Sequence, residues 1–81
     1  MTDEVLFEKV RSILAEVAEI DGRRITLQSS PADIEEWDSL AQVNLVLSLE
    51  QEFGLQFSPA QIEEMAAGVG KIVETLRTRT K

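Results

Sequence analysis

Apolar side chains recur at helical spacing near the start of the chain and again in its middle. The first stretch runs from Asp3 to about Glu19, with charged residues on the other side of the helix. Its apolar positions are Leu6, Val10, Ile13, Leu14 and Val17. The second stretch runs from Ser39 to Phe53, with Asp38 as a natural N-cap and Gly54 as the expected C-cap. These patterns predict the first two helices.

Two further helices are predicted near the end of the chain. Ser58, Pro59 and Gln61 are the residue types of a helix start: a capping serine, a first-turn proline and a glutamine three residues after the cap. They predict a short third helix through about Ala66. The apolar positions that follow, at i, i+3, i+4 and i+7, are Val69, Ile72, Val73 and Leu76. They predict a fourth helix that frays in a polar tail, from about Arg77 to Lys81.

The stretch from Ile20 to Trp37 shows neither helical nor strand periodicity and is predicted to be a long loop. Four apolar residues within it are expected to hold it against the core: Ile25, Leu27, Ile34 and Trp37. We find no repeat and no second domain, so residues 1–81 are expected to form one domain. The predicted fold is all-α: a small up-down bundle of three main helices plus one short helix.

The second helix carries more apolar residues than one buried stripe requires. At roughly 100° per residue, they divide into two groups on different sides of the helix. One group is Leu45, Val46, Leu49 and Phe53. The other, next to Ser39, is Leu40, Val43 and Leu47. One stripe can face the core and the other a partner; the alternative is a helix buried on all sides.

The composition of the chain argues against several classes of function. Fifteen acidic against eight basic residues give a net charge of -7, which opposes binding to nucleic acid or to anionic lipid and favours partners with positive surfaces. The chain has no Cys, so neither a disulfide nor a thiolate metal site is expected. The first residues are acidic and no apolar run approaches a membrane span. We therefore expect a cytoplasmic protein that does not insert into membranes.

Ser39 is the candidate functional residue, because it stands between Asp38 and Leu40 where the loop gives way to the second helix. The chain has no His, so an imidazole cannot activate this serine, and an attachment point is a better interpretation than a nucleophile. An enzyme that uses Ser39 would need Lys9 or Lys71 as its base. The plainest alternative is an ordinary serine at a helix start.

The segment from Glu36 to Val43, Glu-Trp-Asp-Ser-Leu-Ala-Gln-Val, followed by Leu-Glu-Gln-Glu-Phe-Gly from Leu49 to Gly54, resembles the acyl carrier protein family. The resemblance extends over most of the chain. It implies that a phosphopantetheinyl transferase attaches the 4'-phosphopantetheine of coenzyme A to Ser39, with Asp38 as the adjacent acid that this enzyme needs. The arm would carry acyl or aminoacyl groups as thioesters, and the chain itself would not be an enzyme.

The resemblance also implies a docking surface. Leu40, Val43 and Leu47 correspond to positions that face partners or the acyl group. Further candidates for this surface are Trp37, which is also expected to anchor the loop, and the acids Glu36 and Glu50. The acidic face would dock on basic patches of acyl-loading ligases, synthases or transferases, with the carrier itself a monomer.

Ala41 and Asn44 stand where carriers of primary fatty acid synthesis commonly have acids. This departure favours a specialised lipid, polyketide or aminoacyl pathway. The alternative function is an unmodified acidic helical module that docks partners through Leu40, Val43 and Leu47.

Overall fold

A computed structural model describes residues 2–80, which form four α-helices. They are α1 (Asp3–Ala18), α2 (Ser39–Phe53), α3 (Pro59–Met65) and α4 (Val69–Arg79). The long loop between α1 and α2 contains a single 3₁₀ turn, Gly22–Arg24. No strand occurs within these residues, which confirms the predicted all-α class.

Local sequence signals set the helix ends where they were predicted. Asp38 Oδ1 accepts a hydrogen bond from the Ala41 amide at 2.9 Å and so caps α2. The same helix ends at Gly54, whose φ of 63° is the left-handed conformation that glycine adopts without strain. A capping box of Ser58 and Gln61 begins α3.

The helix α1 is central, because it packs against both α2 and α4. Lys9, early in α1, pairs with Glu52, late in α2, and Asp3 at the start of α1 pairs with Arg77 near the end of α4. Both α2 and α4 therefore run antiparallel to α1, while the short α3 packs on α4. The core residues that are completely buried are Leu6, Val10, Leu14, Leu45, Leu49, Met65, Val69, Ile72 and Leu76.

Three of the four expected loop anchors are buried. Ile25, Ile34 and Trp37 are only 2 to 3% exposed and belong to the core. The prediction for Leu27 was wrong, because its side chain is 49% exposed. What Leu27 contributes instead is its backbone carbonyl, which accepts a hydrogen bond from the Gly70 amide at 3.1 Å.

The start of α4 is held by the same loop. Gly68 precedes the helix and supplies no side-chain cap, so the first amides of α4 need other acceptors. The Val69 amide donates to the Ser29 carbonyl at 2.9 Å and the Gly70 amide donates to that of Leu27. The loop thus caps α4 through its backbone, and these two bonds fasten the loop to the helix.

The predicted fraying from Arg77 was wrong for the residues that the structure describes. The helix α4 continues to Arg79, and Lys81 lies outside the described residues. Arg79 Nη1 donates to the Gln56 carbonyl at 2.9 Å and to Gln61 Oε1 at 2.8 Å. These bonds to the start of α3 order the last turn, which its polar sequence alone would leave loose.

Candidate functional site

The candidate site is the N-terminal end of α2. Ser39 is the first residue of the helix and is exposed, next to Leu40 with 70% of its surface exposed. The Asp38 carboxylate is occupied by the cap on Ala41. A helix N-terminus favours an anion such as a phosphodiester by about 0.3–1 kcal/mol at an exposed position. The serine hydroxyl is therefore both accessible and placed where a phosphate is stabilised.

A surface groove of about 430 Å³ opens beside this serine. Its walls are Pro31, Trp37, Asp38, Ser39, Gln42 and Ala66. They come from the loop, from the first turns of α2 and from the end of α3. The groove gives a chain attached to Ser39 a partly apolar surface along which to lie.

Trp37 and Gln42, which both line this groove, are joined by a hydrogen bond. Trp37 is 2% exposed, and its indole Nε1 donates to Gln42 Oε1 at 2.7 Å. Gln42 Nε2 is buried and has no hydrogen-bond partner within residues 2–80. An unsatisfied buried donor costs about 1–3 kcal/mol, so such groups often mark a binding site. Since Gln42 lines a groove that begins at Ser39, this orphaned donor fits a phosphopantetheine arm, which is rich in acceptor oxygens.

Gln42 was not among the residues singled out from the sequence. The available signal was its position three residues after Ser39, which places both on the same face of α2. The hydrogen bond to Trp37, five residues away, had no signal of this kind.

The two apolar stripes predicted for α2 are both present. Leu45 and Leu49 are completely buried, whereas Leu40, Val43 and Leu47 are 70%, 55% and 53% exposed. The alternative of a helix buried on all sides was wrong. A continuous apolar face next to Ser39 is thus open to solvent.

The candidate acids lie in different settings. Glu36 is exposed and accepts two hydrogen bonds from Arg24, at 3.0 and 3.2 Å. Glu50 is half-buried, and its Oε2 accepts a hydrogen bond from the Phe57 amide at 2.9 Å. Glu50 therefore orders the connection between α2 and α3, and one of its two oxygens is already used inside the protein.

The hydrogen bonds from Arg24 hold the pKa of Glu36 below its usual value, and the charge of Arg24 adds to this effect. We expect Arg24→Gln to raise the pKa of Glu36 towards 4.5, the value of an isolated glutamate. Because the pKa of Glu36 is lower in the folded than in the unfolded protein, the ionised carboxylate stabilises the fold at pH values above the unfolded pKa. This contribution is lost as the pH falls through the folded pKa. Carbon-13 NMR titration of the Glu36 carboxyl measures the shift directly. Arg23→Gln is the matched control, because Arg23 pairs with Asp21 and should leave the Glu36 titration unchanged.

Both candidate bases are paired with carboxylates, and Lys9 lies far from Ser39. Lys9 Nζ lies 3.2 Å from Glu52 Oε2, and Glu52 is separated from Ser39 by about 20 Å along α2. Lys71 Nζ pairs with Glu74 at 3.5 Å. No group of side chains that could hold a metal ion occurs within residues 2–80. Over the same residues, no helix is long and apolar enough to cross a membrane.

Comparison with known proteins identifies the family of this chain. Residues 8–76 match the family described as phosphopantetheine attachment site. An acyl carrier protein of Clostridium acetobutylicum is 35% identical over 77 residues, which cover 95% of this chain and 99% of the relative. Acyl carrier proteins of Petrotoga mobilis and Coprothermobacter proteolyticus are 35% and 34% identical over 65 residues, which cover 80% of this chain and 76% and 79% of those proteins.

These matches confirm the resemblance carried by the residues around Ser39. Members of this family are carriers and not enzymes, and their cofactor is a covalently attached 4'-phosphopantetheine. The chain belongs to the acyl carrier protein family of phosphopantetheine-binding proteins.

Proposed function

We propose that this carrier holds its phosphopantetheine arm on Ser39 and presents acyl groups to the enzymes of a specialised lipid, polyketide or related pathway. The observation that carries the proposal is the exposed hydroxyl of Ser39 at the start of α2, beside an open groove. The arm, when bound, supplies a thiol that carries the acyl group as a thioester. A chain without Cys needs such a borrowed thiol.

Different residues around Ser39 would hold different parts of the arm. The N-terminus of α2 stabilises the phosphodiester, and Asp38 fixes that helix start by capping it. Trp37 and Pro31 offer apolar walls to the arm. Because the cargo is tethered, its effective concentration at a docked active site is on the order of millimolar without tight binding of the free acyl group.

The exposed stripe of Leu40, Val43 and Leu47 is proposed as the docking surface. Partners would be the phosphopantetheinyl transferase and the enzymes that load and unload the acyl group. The absence of acids in the first turn of α2 supports a partner outside primary fatty acid synthesis. The acidic remainder of the chain, with net charge -7, favours basic patches at the rim of such an interface. We expect a monomer in the cytoplasm.

Intact mass tests this function. The purified chain is incubated with coenzyme A and a broad-specificity phosphopantetheinyl transferase, and its mass is compared before and after. One phosphopantetheine addition supports the carrier function. No addition, with a transferase that loads another carrier in parallel, would contradict it and would favour the second candidate.

The second candidate is an unmodified helical module that docks partners through the same exposed stripe. The exposure of Leu40, Val43 and Leu47 favours it as much as it favours docking by a loaded carrier. The two candidates differ only in whether Ser39 is modified, so the mass measurement separates them.

The proposed docking surface can be tested by substitution. We expect Leu40→Glu to lower the kcat/KM of loading by the transferase about tenfold, since losing one buried apolar contact costs about 1.4 kcal/mol or more. The fold should be unaffected, because Leu40 is 70% exposed. Val5→Glu makes the same change at a 43% exposed position on α1 and should load normally. Equal loading of the two variants would argue against docking through this stripe.

A further inference from the structure

The Nε2 atom of Gln42 is the one buried polar side-chain atom within residues 2–80 that lacks a hydrogen-bond partner. Gln42 is one of the residues that line the groove beginning at Ser39, and its Nε2 atom is covered from solvent. We propose that Gln42 Nε2 donates a hydrogen bond to an amide carbonyl oxygen of the phosphopantetheine arm when the arm lies in this groove. The inference rests on the proposed attachment at Ser39 and adds a residue that binds the arm itself.

The orientation of the Gln42 amide is fixed by its neighbour. An indole N–H can only donate, so the atom 2.7 Å from Trp37 Nε1 must be the amide oxygen. The NH₂ group then points away from Trp37, with no freedom to exchange places with the oxygen. Trp37 is itself 2% exposed and locked in the core, so the donor is held in one direction before any ligand arrives.

The chemistry of the groove selects an amide carbonyl and not the phosphate. The phosphodiester is bonded to Ser39 at the exposed helix end, where water and the helix N-terminus stabilise its charge. Gln42 Nε2 is buried one turn further along α2, where an anion would lose hydration that one neutral donor does not replace. The pantetheine arm alternates amides with short alkyl links. Its alkyl parts match Trp37 and Pro31, and a carbonyl oxygen matches the Gln42 NH₂.

Two other residues that line the groove belong to the least regular parts of the structure. Pro31 lies in the long loop, and Ala66 is the C-cap of the short helix α3. Neither is part of a main helix, so a small local shift there would expose Nε2 to the arm without displacing α1, α2 or α4. Formation of the bond satisfies the orphaned donor, which favours the arm in the groove over the arm in solvent.

Nuclear magnetic resonance of the glutamine side chains tests the proposal. The chain, labelled with nitrogen-15, is recorded before and after complete loading, with completeness checked by mass, and Gln42→Met assigns the Gln42 signals by their loss. We expect the two Gln42 NH₂ signals to shift on loading and their exchange with water to slow severalfold. The signals of Gln51, which is exposed on the same helix, should stay in place.

A second variant separates donation from packing. Gln42→Glu keeps an oxygen for Trp37 Nε1 but replaces the donor by an acceptor, whereas Gln51→Glu makes the same charge change on the exposed side of α2. We expect loading to raise the melting temperature of the wild type and of Gln51→Glu, and this rise to be lost both in Gln42→Glu and in the uncharged Gln42→Met. A fully loaded wild type with unshifted Gln42 signals would overturn the proposal and leave the attachment at Ser39 intact. A chain that gains no mass would overturn the attachment, and this inference with it.

Discussion

Replacing Ser39 by alanine is expected to abolish loading completely, with no phosphopantetheine addition in the intact mass under conditions that load the wild type. The hydroxyl oxygen is the atom that would bond to the phosphate, and alanine has no substitute for it. The fold should survive, because Asp38 and not Ser39 makes the cap of α2. A change at an exposed position of this kind alters the free energy of unfolding by about 0.5 kcal/mol or less.

The matched control for this experiment is Ser12→Ala. Ser12 is an exposed serine on α1, so the change removes the same group from a different helix. We expect it to load like the wild type. Circular dichroism and thermal unfolding of both variants check that the helical fold is retained. A phosphopantetheine addition to Ser39→Ala would move the attachment to another residue and contradict the proposed site.

The ends of α2 could be predicted from sequence because their determinants are local. Asp38 caps an amide three residues away, and the end of α2 is set by a single residue, Gly54, in the left-handed conformation. The two stripes follow from a fixed rotation per residue, so Leu40 could be separated from Leu45 without knowing the fold. Periodicity alone does not say which stripe faces the core; the resemblance implied that the stripe of Leu40 faces outwards, and the structure shows that Leu45 is buried.

The parts that sequence did not predict depend on contacts between distant segments. The exposed side chain of Leu27 and its bonded carbonyl could not be foreseen, because a backbone hydrogen bond to Gly70 has no side-chain signature. Arg79 is ordered by Gln56 and Gln61, which precede it by many residues. Polarity alone therefore predicted a frayed end where tertiary contacts keep a helix.

The candidate site could be predicted only in part, because some of its residues come from distant segments of the chain. Ser39, Asp38 and Leu40 are contiguous, so their placement followed from one helix start. The groove beside them joins Pro31 and Ala66 from separate parts of the chain, and the pairing of Trp37 with Gln42 depends on how the loop packs. Glu50, a candidate for the docking face, is bonded to the chain beyond α2 by a similar contact.

Gly68→Ala should destabilise the protein by at least about 2 kcal/mol, because two penalties act at this position. Gly68 has φ 147° and ψ 180°, a conformation that only glycine adopts readily. A Cβ built there would lie 2.8 Å from the Ser29 carbonyl oxygen, closer than the two atoms can approach. That same carbonyl accepts the hydrogen bond from the Val69 amide, so relieving the clash would weaken the loop's hold on α4. Urea unfolding at neutral pH measures the loss.

Gly54→Ala is the control that lacks the steric penalty. Gly54 has a φ of 63°, also unfavourable for alanine, but a Cβ added to it would have no atom within 4 Å. We expect the substitution to cost about 1 kcal/mol, which is the strain of the left-handed conformation alone. We expect a larger loss at Gly68 than at Gly54, because the contact with Ser29 adds to a backbone conformation that alanine adopts less readily. Equal losses would mean that the loop moves away from the added methyl group at no cost, and would contradict the expected clash with Ser29.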